Sequence, residues 1–541
     1  MFPKRLSLIS AIVALTLLVS ACGGGTATVA PTTGAQATAA PTPPPAPEAT
    51  AAPKVMVLAY TTTFPDIDPS TSFSNDSAVT SNVYEPLVWY NPPGSAEVLS
   101  PGLAASWEAS DDSLTWTFHL REGVKFHDGA PFNAEAVKFS IERTKRINGG
   151  AAWIWSPVNE IEIKDDYTVV FHLDYATPLD LIASSGYAAW MFSPSVGDKD
   201  SAWFNEGHDA GTGPYMIEKY EPGQRIILTR FDDYWGGWNE GQFDKAVLEV
   251  VEDPTVRQQK IDSGEADWTY QIPTENLQAV DANPDVKVVV NPAFQNLVGL
   301  FNNKKPPLDH PKVRQALSYA FPYETYLKSV LEGYATQSRG PVPTGMFGHD
   351  PTLFQYTHDL DQARPLLTEA GYPDGGFELT MTYATGDTLE EQAGELWKAE
   401  LAKLGVTLNL QPLAWEAQWN LGRGDPANAQ DIFVMYWWPT YVTPYDFLFN
   451  MFHSEASTLF NLGYYGNPKF DEMIDTANEL SGSDKAGAER MFQEAQKMLV
   501  DDAASLFFFD QQNIHVTRED IEGYVDNPAY SHVVFIYQLS R

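Results

Sequence analysis

Cys22 is the only cysteine among 541 residues, so no intramolecular disulfide can staple this chain and its fold must be held by packing. Size makes that feasible. With 43% hydrophobic and 13% aromatic residues, the body has material for a large core, and a chain of this length divides it over two or three lobes. The formal net charge of −37 argues against nucleic acid and against peripheral attachment to anionic lipid, because both need clustered cations. The acidity reads as solubility.

The place of the cysteine carries a second message. Lys4 and Arg5 precede an apolar stretch from Leu6 to Val19, broken only by Ser and Thr, and small Ser20 and Ala21 lead to Cys22. That is the order of a secretory signal over residues 1–21, and the stretch falls short of the roughly 20 apolar residues of a spanning helix. The string Leu18-Val19-Ser20-Ala21-Cys22 resembles the bacterial lipobox. The resemblance implies cleavage before Cys22, lipidation of its thiol and an extracytoplasmic protein held to the membrane by several acyl chains. The alternative is a plain secreted protein with an incidental cysteine. Residues 22–54 then read as a linker of Gly, Ala, Thr and Pro with little apolar surface to bury. Its Thr42-Pro43-Pro44-Pro45-Ala46-Pro47 run favours extended polyproline II, a semi-rigid spacer.

Beyond the linker the hydrophobic period alternates between that of strands and that of helices. Leu114, Trp116, Phe118 and Leu120 alternate with polar residues, as in a strand with one buried face. Ile161 and Ile163, then Tyr167, Val169, Phe171 and Leu173, predict two strands joined by a tight turn at Asp165-Asp166. Stripes of period 3.6 run through Leu389, Ala393, Leu396, Trp397 and Leu401, through Phe470, Met473, Ile474 and Ala477, and through Met491, Phe492, Ala495, Met498 and Leu499. Pro311 suits the first turn of a helix carrying Val313, Ala316, Leu317 and Ala320. Strands and helices interspersed in this way predict an α/β fold with mixed sheets.

Several strings, taken in order, resemble one known family. Residues 103–143, LAASWEASDDSLTWTFHLREGVKFHDGAPFNAEAVKFSIER, are followed by GTGPY at 211–215, DDYWGG at 232–237 and PLDHPKVRQALSYAF at 307–321. GPVP at 340–343, EAGYPDGG at 369–376 and YYGNPKFDEMID at 464–475 complete the set. Together they resemble the family 5 extracellular solute-binding proteins of bacterial ABC importers, the peptide, dipeptide and nickel group. Read physically, these strings are mostly scaffold. Asp128-Gly129 is a turn pair ending a strand, Asn133 caps a helix, and His127 is a turn residue rather than a ligand or base. The glycines of GTGPY suit a turn with positive φ.

The resemblance implies a two-lobed periplasmic-binding-protein fold with an inserted subdomain, joined by hinge strands. Lobe I would comprise residues 55–89, 209–296 and 511–541, the insert 90–208, and lobe II 297–510. Closure of the lobes over a ligand, with recognition of the closed form by a membrane permease and its ATPase, would be the mechanism. A monomer with no cofactor is expected.

Site residues follow only where strings match. Leu408 to Trp415 resembles the stretch of oligopeptide binders that ends in a pocket tryptophan, which makes Trp415 a candidate. The segment from Tyr436 to Leu448 resembles the cleft-lining W-x-x-D-Y-x-D-P, in which Trp437 and Tyr441 match; Trp438 and Tyr445 join them as candidates in an aromatic set within or near that wall. Thr440 stands where peptide-binding relatives carry the aspartate that receives the α-ammonium, and Thr443 replaces a second aspartate. A buried ammonium without a carboxylate is disfavoured, so free-N-terminal peptides lose ground as ligands. Phe73, Ser74 and Asn75 correspond to the piece that pairs with a bound peptide backbone, with Phe73 in place of an acidic residue. Aromatic rings and hydrogen-bonding groups beside a cleft suit peptides and equally sugar faces, so a peptide-like solute is the first reading and an oligosaccharide the second. No zinc string, nucleophile elbow or free thiol points to catalysis. The ten histidines form no i, i+4 pair, and no metal is expected. A lipid-anchored hydrolase built on two carboxylates remains the competing class.

Overall fold

The computed structural model describes residues 52–61, 63–73, 75–454 and 460–541, without the side chain of Glu416. Cys22, the leader, nearly all of the linker and Ser74 lie outside the described residues.

Two long strands organise the body. Val286–Phe301 and Ser505–Arg518 pair antiparallel, and both are rich in the β-branched and aromatic residues that fit a pleated surface. Their register runs from Val286 opposite Arg518 to Pro292 opposite Gln512, breaks, and resumes with Asn296 opposite Asp510. At the break Ala293, Phe294 and Gln295 stand against Gln511 alone, an irregularity that bends the ladder and interrupts its hydrogen bonds.

Different partners flank the two sides of that break. Before it, Trp268–Tyr270 pairs with His515–Thr517, and the sheet continues through Val55–Tyr60, Lys245–Val250, Arg225–Arg230 and Tyr215–Glu221. Beyond it, Ile432–Trp437 pairs with Asn296–Phe301, followed by Glu378–Ala384 and Thr407–Leu413. One mixed sheet therefore passes through two lobes, each with its own core. Met56, Leu58, Ile226 and Trp268 are buried in the first, and Val313, Trp397, Ile432 and Phe508 in the second. This is the α/β, two-lobed architecture expected from the sequence.

The inserted segment brings its own sheet of four strands, in the order Ala104–Ala109, Thr115–Leu120, Thr168–Leu173 and Val158–Asp165. Trp116, Phe118, Val169 and Phe171 are buried there, on the face that alternation predicted, whereas Leu114, read as part of that face, precedes the strand and is exposed. Helix Ala134–Ile147 covers the sheet and is capped at Asn133, whose side chain accepts the Ala136 N–H at 3.2 Å. The four helical stripes form Pro311–Tyr319, Thr388–Ala402, Pro468–Leu480 and Lys485–Asp501.

Two local expectations differ from the structure. Asp128-Gly129 does turn, with Gly129 at φ +84°, but no strand precedes it; only an isolated bridge joins Lys125 to Pro131. Gly211 and Gly213 do not have positive φ. A Cβ on Gly211 would meet the Val83 carbonyl oxygen at 1.9 Å, and one on Gly213 would meet the same oxygen at 2.7 Å. Close backbone approach, not turn handedness, requires these glycines. His127 is buried beside them; its Nδ1 pairs with Asp209 and its Nε2 with the Gly213 carbonyl at 2.8 Å.

Candidate functional site

The break in the two long strands opens onto a cleft of about 460 Å³. Ala293, Phe294 and Gln295 from one strand, and Gln511 and Asn513 from the other, form its floor. Lobe I contributes Phe73, Asn75, Ser77 and Gln271, with Ser531 and His532 from the C-terminal segment; the insert adds Tyr187; lobe II contributes Asp387, Leu389, Tyr436 and Trp438. A second chamber of about 280 Å³ shares Gln271, Leu389, Gln511, Asn513 and His532 with it. These segments are far apart in sequence, and the sheet is what gathers them.

Local chemistry holds each wall in place. Phe73 follows a loop locked by Asp68, which receives two hydrogen bonds from the buried Arg143 guanidinium, at 2.7 and 2.8 Å, in the planar fork geometry. Ser70 Oγ accepts from the same guanidinium at 2.7 Å. The exposed Phe73 ring then meets Tyr187 edge to face, with centroids 5.1 Å apart. Asp387 is the cap of helix Thr388–Ala402: its Oδ1 accepts the N–H groups of Leu389 at 3.0 Å and Glu390 at 2.9 Å. Asn513 donates to the Asp526 carboxylate at 3.1 Å. His532 stacks on Tyr270, with centroids 4.3 Å apart, and burial pulls its imidazole down to about 4, so it is neutral at pH 7.

The nine residues proposed from the sequence separate into groups. Phe73, Asn75 and Trp438 line the cleft, and Trp438 is 54% exposed. Trp437 points the other way, since successive strand residues face opposite sides. It is 9% exposed, donates its indole N–H to Asp446 at 3.0 Å and meets Phe460 edge to face. Tyr441 and Tyr445 line a separate cavity of about 470 Å³ together with Trp153, Tyr175, Asp446 and Asp475; the Tyr445 hydroxyl donates to Asp475 at 2.9 Å. The Thr440 carbonyl accepts from Ser185 of the insert at 2.9 Å. Thr443 caps helix Pro444–Phe452. Trp415 is half exposed at the start of helix Trp415–Gly422, against Trp419 and Phe433.

Most of the polar lining was missed: Gln271, Gln295, Asp387, Gln511, Asn513, Ser531 and His532. One signal was available. Asp510-Gln511-Gln512-Asn513 interrupts the apolar run Leu506 to Phe509, and Asn291 to Asn296 interrupts its partner strand. Paired polar interruptions in the two longest strands mark the floor of the cleft.

Comparison with known proteins agrees with this architecture. Residues 98–458 match the profile described as bacterial extracellular solute-binding proteins, family 5, middle. A probable D,D-dipeptide-binding periplasmic protein of Escherichia coli K12, DdpA, is 31% identical over 503 residues, covering 91% of this chain and 95% of that protein. A glutathione-binding protein of Pectobacterium atrosepticum, GsiB, is 28% identical over 495 residues, covering 88% and 92%. The solved structure of HbpA2 from Haemophilus parasuis superposes with a TM-score of 0.80 at 26% identity, over 90% of this chain and 99% of that one.

Proposed function

Because the chain belongs to the bacterial extracellular solute-binding proteins of family 5, we propose that it captures a peptide or peptide-like solute in the interlobe cleft and delivers it to an ABC importer. The observation that carries this reading is the cleft at the register break of the two crossing strands, where residues from both lobes face one another. Lobe I is taken as residues 55–89, 209–296 and 511–541, the insert as 90–208 and lobe II as 297–510. Rotation about residues 293–295 and Gln511 closes the lobes, and ligand contacts to both lobes favour the closed state. Permease and ATPase subunits are the partners, and acylated Cys22 is the tether. Phe73, Asn75 and Trp438 contact the solute, while Trp437, Thr440, Tyr441 and Tyr445 support the wall behind them. The chain binds without turnover, as a member of a family of binding proteins.

An oligosaccharide is the second reading, supported by an exposed Trp438 that shares the cleft lining with several side-chain amides. Mass spectrometry of the solute released on denaturing freshly purified protein tests both. A peptide or peptide-like molecule is expected; a glycan would move the reading to sugars, and chemical turnover of offered peptides would reject the binding role. Palmitate labelling that is lost in Cys22→Ala tests the anchor.

A further inference from the structure

The cleft has an uneven charge inventory. Among its described lining residues there is no lysine and no arginine, in either chamber. The hydrogen-bonding groups of the lining are side-chain carboxamides such as Gln271, Gln295 and Gln511, serine hydroxyls, the phenols of Tyr187 and Tyr436 and the indole of Trp438, and none of them carries a formal charge. His532 is neutral, as described above. One formal charge remains on the wall, the carboxylate of Asp387, which takes hydrogen bonds from the backbone N–H groups of Leu389 and Glu390 and stands in no ion pair among the described residues.

Taking the cleft as the binding site, as proposed above, we infer that the captured solute bears an ammonium group directed at Asp387 and no free carboxylate. An anionic group enclosed here would lose its water and gain only neutral dipoles, and an uncompensated charge in a closed site is costly. The N-terminus of helix Thr388–Ala402 offers an anion no alternative: Asp387 Oδ1 already takes its Leu389 and Glu390 amides. A cation meets the opposite situation. Asp387 uses only Oδ1 for its helix and keeps its second oxygen for an incoming donor, and Phe73, Tyr436 and Trp438 line the same cleft with aromatic rings, whose faces attract positive charge. The net charge of −37 adds a field that concentrates cations and repels anions. Asp387 in this way supplies from another segment the carboxylate that the chain lacks at Thr440.

The test uses mixed tripeptide libraries in three forms, with free amine and C-terminal amide, with acetylated amine and free acid, and with both ends blocked, titrated into the mature protein by tryptophan fluorescence. The amine-amide library is expected to bind at least tenfold more tightly than the acetylated acids. Asp387→Asn keeps the helix cap, because asparagine caps as well as aspartate, and should remove that preference by weakening the amine-amide library at least tenfold more than the blocked library. Acetylated acids bound as tightly as amine-amides, or an unchanged preference in Asp387→Asn, would overturn the inference while leaving the peptide reading intact. If no library binds, the peptide reading falls and the solute released on denaturation decides the rest: a cation upholds the inference, and an anion or a neutral molecule ends it.

Discussion

Trp437 and Trp438 are neighbours in sequence with opposite surroundings, and replacing each by alanine separates folding from binding. Trp437 is 9% exposed, lies edge on to Phe460 with centroids 5.0 Å apart, and donates to Asp446. Removing a buried indole costs about 3–5 kcal/mol. Loss of the indole N–H takes from buried Asp446 one of its neutral donors, a further penalty of about 1–3 kcal/mol where an acceptor is left unsatisfied. Burial already holds the Asp446 carboxyl up at about 7 against its hydrogen bonds. Trp437→Ala should therefore lose about 4 kcal/mol or more of stability, whereas Trp437→Phe keeps most of the packing and should lose about 1–3 kcal/mol through the missing N–H.

Trp438 is 54% exposed on the cleft wall. Trp438→Ala should change stability by no more than about 0.5 kcal/mol and weaken solute binding by about 1 kcal/mol or more, the scale of an aromatic contact at a binding hot spot. Urea unfolding followed by circular dichroism reads the first quantity, and fluorescence titration with the released solute reads the second. If Trp437→Ala unfolds at the wild-type midpoint but binds poorly, the two rings have been assigned to the wrong faces.

Three further outcomes follow from the same structure. Asp68→Asn leaves the buried Arg143 guanidinium without its carboxylate, so it should cost about 3–5 kcal/mol and loosen the loop that leads to Phe73; a wild-type midpoint in denaturant would contradict this. Gly211→Ala drives a Cβ into the Val83 carbonyl and should lower the thermal midpoint by several degrees, which scanning calorimetry would detect. Burial raises the carboxyls of Glu85 to about 7, Glu390 to about 8 and Asp446 to about 7. Each stays neutral in the fold where the unfolded chain is ionised, so stability should fall between about pH 4.5 and pH 8 as these groups lose their protons. The imidazoles of His515 and His532 are depressed, mainly by burial, and work against this on the acid side, because the unfolded chain takes up protons there below about pH 6.5. A urea midpoint that climbs from pH 6 to pH 8.5 would refute the assignment.

What the sequence displayed and what it concealed have one physical origin. A segment with one wet face writes its orientation into alternation or a 3.6-residue stripe, which is why Thr115–Leu120, Thr168–Leu173 and the four helices could be read with their buried residues. Strand Ile432–Trp437 is covered on both sides: five of its six residues are buried and only Tyr436 is partly open. A strand of that kind reads as continuous apolar sequence, so nothing local told Trp437 from Trp438, and the family string favoured the ring that turns inward. The cleft was harder still. Gln271, Asp387, Gln511 and His532 come together because the sheet crosses from lobe to lobe at residues 293–295, and no periodicity records a meeting of segments so distant in the chain. Such a wall is free to change its charge without disturbing a core, so the lack of lysine and arginine among its described residues bears on the proposed solute rather than on the fold.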